Sequence, residues 1–293
     1  MVDFETLGAS VPAAVASPRR VSRRGVLRQL ELWVPLCVFV LICLACFFGP
    51  AIFGLPGPES SNLTHTMEPP FSPGHLLGTD SLGYDELSRI LYGGRVSLEV
   101  GFGSVLLGLV LGGTIGITAG YRRGVVDVVL MRLLDMLSAF PVLALALTLS
   151  VFLGPNIRNE ILAITAYTLL AYARLARAET LKVRDQNYVT AAEHAGRTGP
   201  AIVLRHFLPN IGPQLISFGL LTLGAAIVVE AGMSFLGAGV PPPAPSWGNL
   251  IAAGEGVIST DQWLVILPSA FLVLTVLSAN LVGDALRARW GET

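Results

Sequence analysis

Apolar residues in this chain gather into long runs instead of the short alternating patterns of half-buried elements. A bilayer-spanning helix needs about 20 mostly apolar residues. Six stretches meet or approach that length, at about 32–54, 96–121, 129–153, 161–174, 211–236 and 263–281. The fourth turns polar early, in "LLAYARLARAETLKV", and is expected to continue as helix beyond the bilayer. Between the runs lie a basic tail over 1–31, a long loop over 55–95, a polar knuckle over 187–210 and a short tail over 287–293. Within the long loop, Asp85 to Tyr92 is expected to form a short amphipathic helix. Residues 96–286 then form the core, with five spans and the knuckle.

Lys and Arg set the orientation, because they are retained on the cytoplasmic side. With the N-terminus inside, only Arg89, Arg95 and Arg158 of the 19 Lys and Arg residues fall outside. Six spans with both termini cytoplasmic follow, and the 187–210 knuckle is then cytoplasmic. "SRRGVL" before the first run faintly resembles a twin-arginine export signal. The run is too long for a signal core and five more follow it, so an anchor for the first span is the better reading.

Composition agrees with lipid: 53% of residues are hydrophobic and 13% charged, against roughly 25% charged in soluble domains. A net charge of −1 gives no reason to expect nucleic acid. Cys37, Cys43 and Cys46 all lie in the first apolar run and read as small hydrophobes.

In the second run Ser104, Gly108, Gly112, Gly116 and Gly120 recur every four residues. On a helix they make one ridge without bulk, which lets a neighbouring backbone approach closely. Ionisable residues within the runs are few. Arg132 and Asp135, three apart, are expected to pair on one helix face. Glu230 and Glu99, toward the outer ends of their spans, are candidates for the pathway or for substrate contact. His75, Asp80 and Asp85 in the long loop lack a second histidine at ligand spacing, so no metal is expected there. The Pro-rich last loop suggests a rigid ledge, with Trp247 at a membrane interface.

No GxxxxGK[ST] phosphate loop, GxSxG elbow or HExxH helix occurs, so no catalytic constellation is visible. No ring of polar filter residues suggests a channel. The reading is an all-α integral membrane protein that is either a transport subunit powered from elsewhere or a membrane scaffold.

The knuckle narrows the choice. "NYVTAAEHAG" suits a short helix, with Asn187 as a plausible N-cap and Gly196 as a stop. Its two alanines give a smooth surface, and "AIVLRHF" and "LPN" lead back into the fifth span. Thr190, Ala191, Ala192 and Gly196, followed by His206, Leu208 and Pro209, resemble the EAA loop of ABC-importer permeases. Two positions depart from that pattern: Thr190 stands where Glu is usual, and His206 where an apolar residue is usual. "HLLGTDSLGYDELSRILYGGRVSL", "DMLSAFPVLALA" and "EAGMSFLGAGVPPPAPSWGNLI" widen the resemblance to the C-type permeases of dipeptide and oligopeptide importers.

The resemblance implies the type I ABC-importer permease fold in the plasma membrane of a prokaryote. It implies a heterodimer with a second permease, two cytoplasmic ATPase subunits that carry ATP and Mg, and an extracytoplasmic substrate-binding protein. Tyr188 and the matched loop residues would couple to the ATPase, and no cofactor would bind this chain. Close relatives carry other cargo, such as nickel chelates, glutathione or haem-like molecules, and these remain alternatives.

Overall fold

The computed structural model describes residues 23–290, with side chains described from Leu30 onward. The basic tail residues Arg19 and Arg20, Ser22 of the twin-arginine-like segment and residues 291–293 lie outside the described part, while Arg23 to Leu27 of that segment open the first helix. The described residues are helical, with three isolated bridges in the long loop. The helices are α1 (Arg23–Ile52), α2 (Glu86–Arg122), α3 (Gly124–Ser138), α4 (Val142–Leu153), α5 (Ile157–Arg184), α6 (Asn187–His194), α7 (Gly199–Ile202), α8 (Leu208–Phe235), α9 (Trp247–Glu255) and α10 (Trp263–Trp290). A π-helical turn over Val203–Phe207 joins α7 to α8.

Among the described residues, five segments are long and apolar enough to cross a membrane: 30–52 in α1, α2, α5, the joined helix 199–235 and α10. The third apolar run is not one helix. It breaks into α3 and α4, bent by 87°. Pro141 is the cause: a residue before proline is pushed out of the α region, and proline cannot donate into the preceding turn.

Three other expectations change. The short helix at Asp85–Tyr92 is not separate but forms the first turns of α2. Asp85 caps that helix, accepting from the Ser88 amide at 2.8 Å, and nothing downstream interrupts the helix. α10 continues to Trp290, so 287–290 are helix and not tail. Trp247 is not at an interface. It is fully buried, its indole N–H donates to the Ile90 carbonyl at 3.0 Å, and Gly94 leaves the room its ring needs.

α2 is the central helix, and its interface with α5 is the most extensive in the fold. The small-residue ridge makes that interface. Thr168 Oγ1 donates to the Ser104 carbonyl at 2.7 Å. Further along, a Cβ built on Gly112 would sit 2.4 Å from the Leu169 carbonyl oxygen, and one on Gly116 would sit 2.3 Å from that of Ala173. Gly108 faces Thr168 and Gly120 faces Thr180 in the same way. The four-residue register thus continues on both helices, and backbone meets backbone.

Two apolar clusters mark the two ends of the bundle. Cys46, Leu91, Leu98, Ile227 and Trp247 pack near the long first loop. Ile117, Tyr172, Val189, Ile202, Phe207 and Ile211 pack at the opposite end, beneath the knuckle. Large apolar side chains such as Leu41, Val151, Phe152 and Ile266 face outward. A bundle in lipid or against a partner helix buries these at no cost, whereas water would penalise them.

Candidate functional site

The knuckle is a folded element, not a solvated connector. α5 ends at Asp185, whose carboxylate accepts two bonds from Arg123 at 2.6 and 2.8 Å. Gln186 is extended, and α6 begins at Asn187. The N-cap position is therefore Gln186 and not Asn187, because the Gln186 carbonyl already accepts the first bonds of α6, from the Val189 and Thr190 amides. Val189 and Ala192, three apart, form the buried face of α6 and sit in the apolar cluster with Tyr172, Ala176, Ile202 and Phe207. The alanine pair divides: Ala192 anchors the helix, while Ala191 faces out with Tyr188, Thr190, Glu193 and His194.

Gly196 ends α6 in the left-handed region, at φ +75°. Its amide donates to the Glu193 carbonyl at 2.9 Å, and the next amide, Arg197, donates to Ala192 at 3.2 Å. This pair of bonds is the Schellman arrangement, which satisfies two carbonyls that a helix end otherwise leaves open.

The return path is equally constrained. Leu208 donates to the Val203 carbonyl across the π-helical turn. Pro209 has no amide hydrogen to give to the previous turn, so the wider turn lies where regular bonding would fail. The half-buried His206 ring lies 5.8 Å from the Tyr188 ring, which ties the outgoing and returning arms together. Phe207 is fully buried and stands edge-on to Tyr121 at 5.4 Å. The knuckle is thus fixed to α2, α5 and α8, and presents one small exposed helix outward. A displacement of α6 must be carried into those long helices, because cores this closely packed transmit strain.

Ion pairs brace the same end. Arg177 makes two bonds to Asp127, at 2.5 and 2.6 Å, joining α5 to α3. Asp135 pairs with Arg174 of α5 at 3.2 Å, not with Arg132. α5 passes close to α3 and offers a guanidinium that also reaches the Ser138 hydroxyl at 2.8 Å, so the cross-helix partner wins over the one on the same helix. The sequence marks these arginines as positive-inside residues but gives no hint of their partners.

The two candidate pathway acids differ in setting. Glu99 is part-exposed and pairs with Arg95 at 3.0 Å, one helical turn away. Glu230 is fully buried; Ser234 donates to it at 2.8 Å, and Ser97 and Ser246 face it from α2 and the last loop. In this conformation Glu230 is sealed from solvent and ties α8 to α2 and the last loop. Glu160, in the first turn of α5, lies beside it and is also buried, a neighbour the linear sequence concealed.

The long loop also differs from its linear reading. His65, Glu68 and His75 converge there, with the two imidazole rings 5.7 Å apart. The histidine missing from the linear spacing is His65.

A family model described as "Binding-protein-dependent transport system inner membrane component" matches residues 112–291. The chain is 36% identical over 275 residues to a glutathione transport system permease protein of Pectobacterium atrosepticum, covering 94% of this chain and 91% of that one. It is 32% identical over 271 residues to a dipeptide transport system permease protein of Alkalihalophilus pseudofirmus, covering 92% and 88%. It is 35% identical over 266 residues to an oligopeptide transport system permease protein of Escherichia coli K12, covering 91% and 88%. Among solved structures, a chain of the inward-facing MetNI methionine ABC transporter superposes with a TM-score of 0.58 at 20% identity, covering 68% of this chain and 95% of that chain. At that identity the likeness shows the fold.

Proposed function

The chain belongs to the family of binding-protein-dependent transport system inner membrane components, and on that premise we propose that it forms half of the translocation pathway of an ATP-driven importer of dipeptides and oligopeptides. The observation that carries this reading is the knuckle: a short exposed helix, closed by a Schellman glycine and clamped to three long helices. A permease driven from outside needs such a part. Free energy released at a partner ATPase reaches the pathway only through a contact that differs between its conformational states.

In this proposal the exposed face of α6, with Tyr188, Thr190 and Ala191, seats in a groove of a cytoplasmic ATPase that binds ATP and Mg. His206, Leu208 and Pro209 carry the push into α8. A second permease supplies the other half of the pathway, and an extracytoplasmic binding protein delivers cargo to the opposite end. This reading counts the bent pair α3–α4 as one of six spans and assigns both termini and the knuckle to the cytoplasm of a prokaryote. The positive-inside bias supports that topology. Thr190 lacks the usual acidic charge, so docking at that position rests on shape and on its hydroxyl.

Uptake measurements test the cargo. A deletion strain is expected to lose uptake of labelled dipeptides and oligopeptides, and the intact gene to restore it. Unchanged peptide uptake in a strain without a redundant importer would sink the reading. Loss of glutathione uptake alone would reassign the cargo to that tripeptide, the substrate named for one relative. Copurification without any ATPase subunit would favour the scaffold alternative.

A further inference from the structure

The long first loop, residues 53–85, has no regular element, yet its middle is tightly stitched. The Thr79 amide donates to the Glu68 carbonyl at 3.1 Å, and the Glu68 amide donates to Thr79 Oγ1 at 3.0 Å. Thr79 Oγ1 in turn donates to the His65 carbonyl at 2.6 Å. Met67 sits at φ +57°, a left-handed conformation that residues with a side chain rarely adopt. Gly78, at φ +82°, is the one residue type that fits, because a Cβ there would lie 2.3 Å from the Glu68 carbonyl oxygen. The backbone between His65 and Glu68 is therefore held in a strained turn by a strand of chain ten residues further on.

The turn assembles chemistry. His65, Glu68 and His75 offer ligand atoms that all lie within 4.8 Å of one another. His65 Nδ1 approaches Glu68 Oε1 at 2.5 Å, while Glu68 Oε2 is buried and has no hydrogen-bond partner among the described residues. His75 Nδ1 contacts Asp85 Oδ2 at 2.8 Å, which leaves Nε2 of that ring free to act as a ligand. A carboxylate behind a histidine fixes the ring and its tautomer in just this way in metal sites. Asp85 is itself fixed, because its other oxygen caps α2. Asp80 is excluded from the set: it accepts from the Leu82 and Tyr84 amides and pairs with Arg89.

We propose that His65, Glu68 and His75 bind one divalent cation of the zinc class, with Asp85 as the positioning residue behind His75 and water completing the shell. Two imidazoles and one carboxylate select zinc or a similar transition cation over calcium or magnesium, which take oxygen donors. Zinc–nitrogen bonds of about 2.0–2.1 Å put tetrahedral ligand atoms roughly 3.4 Å apart, so the widest separations, which reach no further than 4.8 Å, must close while the His65–Glu68 pair opens from 2.5 Å. All three residues keep some solvent exposure, which allows that motion and gives the ion a way in. The cation replaces the proton between His65 and Glu68 and gives the orphaned Glu68 oxygen a partner. It would fasten the loop to the start of α2, at the end of the bundle opposite the knuckle.

The test uses the assembled importer, stripped with chelator and dialysed against zinc with calcium and magnesium in excess. The wild-type complex is expected to take up one more zinc per permease chain than the His65→Ala complex. His65 is half exposed, so its loss leaves the fold intact, and His194→Ala, at the opposite end, is expected to keep the zinc. Asp85→Asn, which retains the cap, is expected to weaken zinc binding about 10- to 100-fold. Zinc is also expected to raise the thermal midpoint of the wild type and not of His65→Ala. Equal zinc content and equal thermal shifts in the wild type and His65→Ala would overturn the site, as would displacement of the zinc by calcium.

Discussion

Gly112→Ala is expected to destabilise the protein by an amount that prevents normal assembly, while Gly113→Ala, one residue further on, leaves it as stable or more so. The added methyl is the same in both, and so is the gain in helix propensity of up to about 1 kcal/mol. Only the surroundings differ. The new Cβ at 112 would lie 2.4 Å from the Leu169 carbonyl oxygen and 2.9 Å from Tyr172 Cβ; at 113 nothing lies within 4 Å. Overpacking costs about 1–3 kcal/mol when side chains can shift. Here the obstacle is the backbone of α5, which cannot move without opening the largest interface in the fold. Gly116→Ala, with its Cβ 2.3 Å from the Ala173 carbonyl oxygen, is expected to behave like Gly112→Ala. The thermal midpoint of the detergent-purified complex and its yield from membranes measure this. If Gly112→Ala and Gly113→Ala prove equally stable, the close α2–α5 contact is not what holds the bundle.

Gly196→Val is expected to uncouple ATP hydrolysis from uptake, while Gly196→Asn keeps them coupled. Space is not the issue, because nothing lies within 4 Å of a Cβ built there. The backbone is the issue. At φ +75° a β-branched residue costs about 1–2 kcal/mol, whereas asparagine tolerates this region. Such a cost shifts the population of the formed helix end by a factor of roughly 5–30. When that end opens, the Glu193 and Ala192 carbonyls lose their donors and α6 loses its fixed direction. The valine variant should hydrolyse ATP in proteoliposomes and move several-fold less peptide per ATP. Wild-type uptake per ATP in that variant would show that the glycine does not set the coupling geometry. Equal impairment by asparagine would show the same, and would point instead to contact at the surface of residue 196.

How much of this was legible beforehand depended on the range of the interaction. The knuckle was readable because its parts are local: Gly196 stops a helix eight residues long, and Leu208-Pro209 restarts one. The ridge from Ser104 to Gly120 was readable because a four-residue period on a helix is itself a statement about one face. What lies opposite was not readable. Nothing near Asp135 in the chain indicates that Arg174 outcompetes Arg132 for it. Trp247 resembled an interface residue because its type suits one, and only the approach of Ile90 and Gly94 shows that it is core. His65 and His75 lie ten positions apart in irregular chain, with no period to relate them.

The sequence by itself determined the apolar runs, the side on which positive charge collects, the helix stops and the small-residue register. Each of these follows from the bilayer thickness or from the geometry of a single helix. Pro141 marks the break in the third run locally, and tertiary structure set only its 87° angle. Tertiary structure alone decided the partners of Arg174 and Arg177, the sealing of Glu230 beside Glu160, and the meeting of two histidines in the first loop. Those outcomes depend on which distant segments are brought within a few ångströms. That is fixed by the packing of whole helices, which no local spacing encodes.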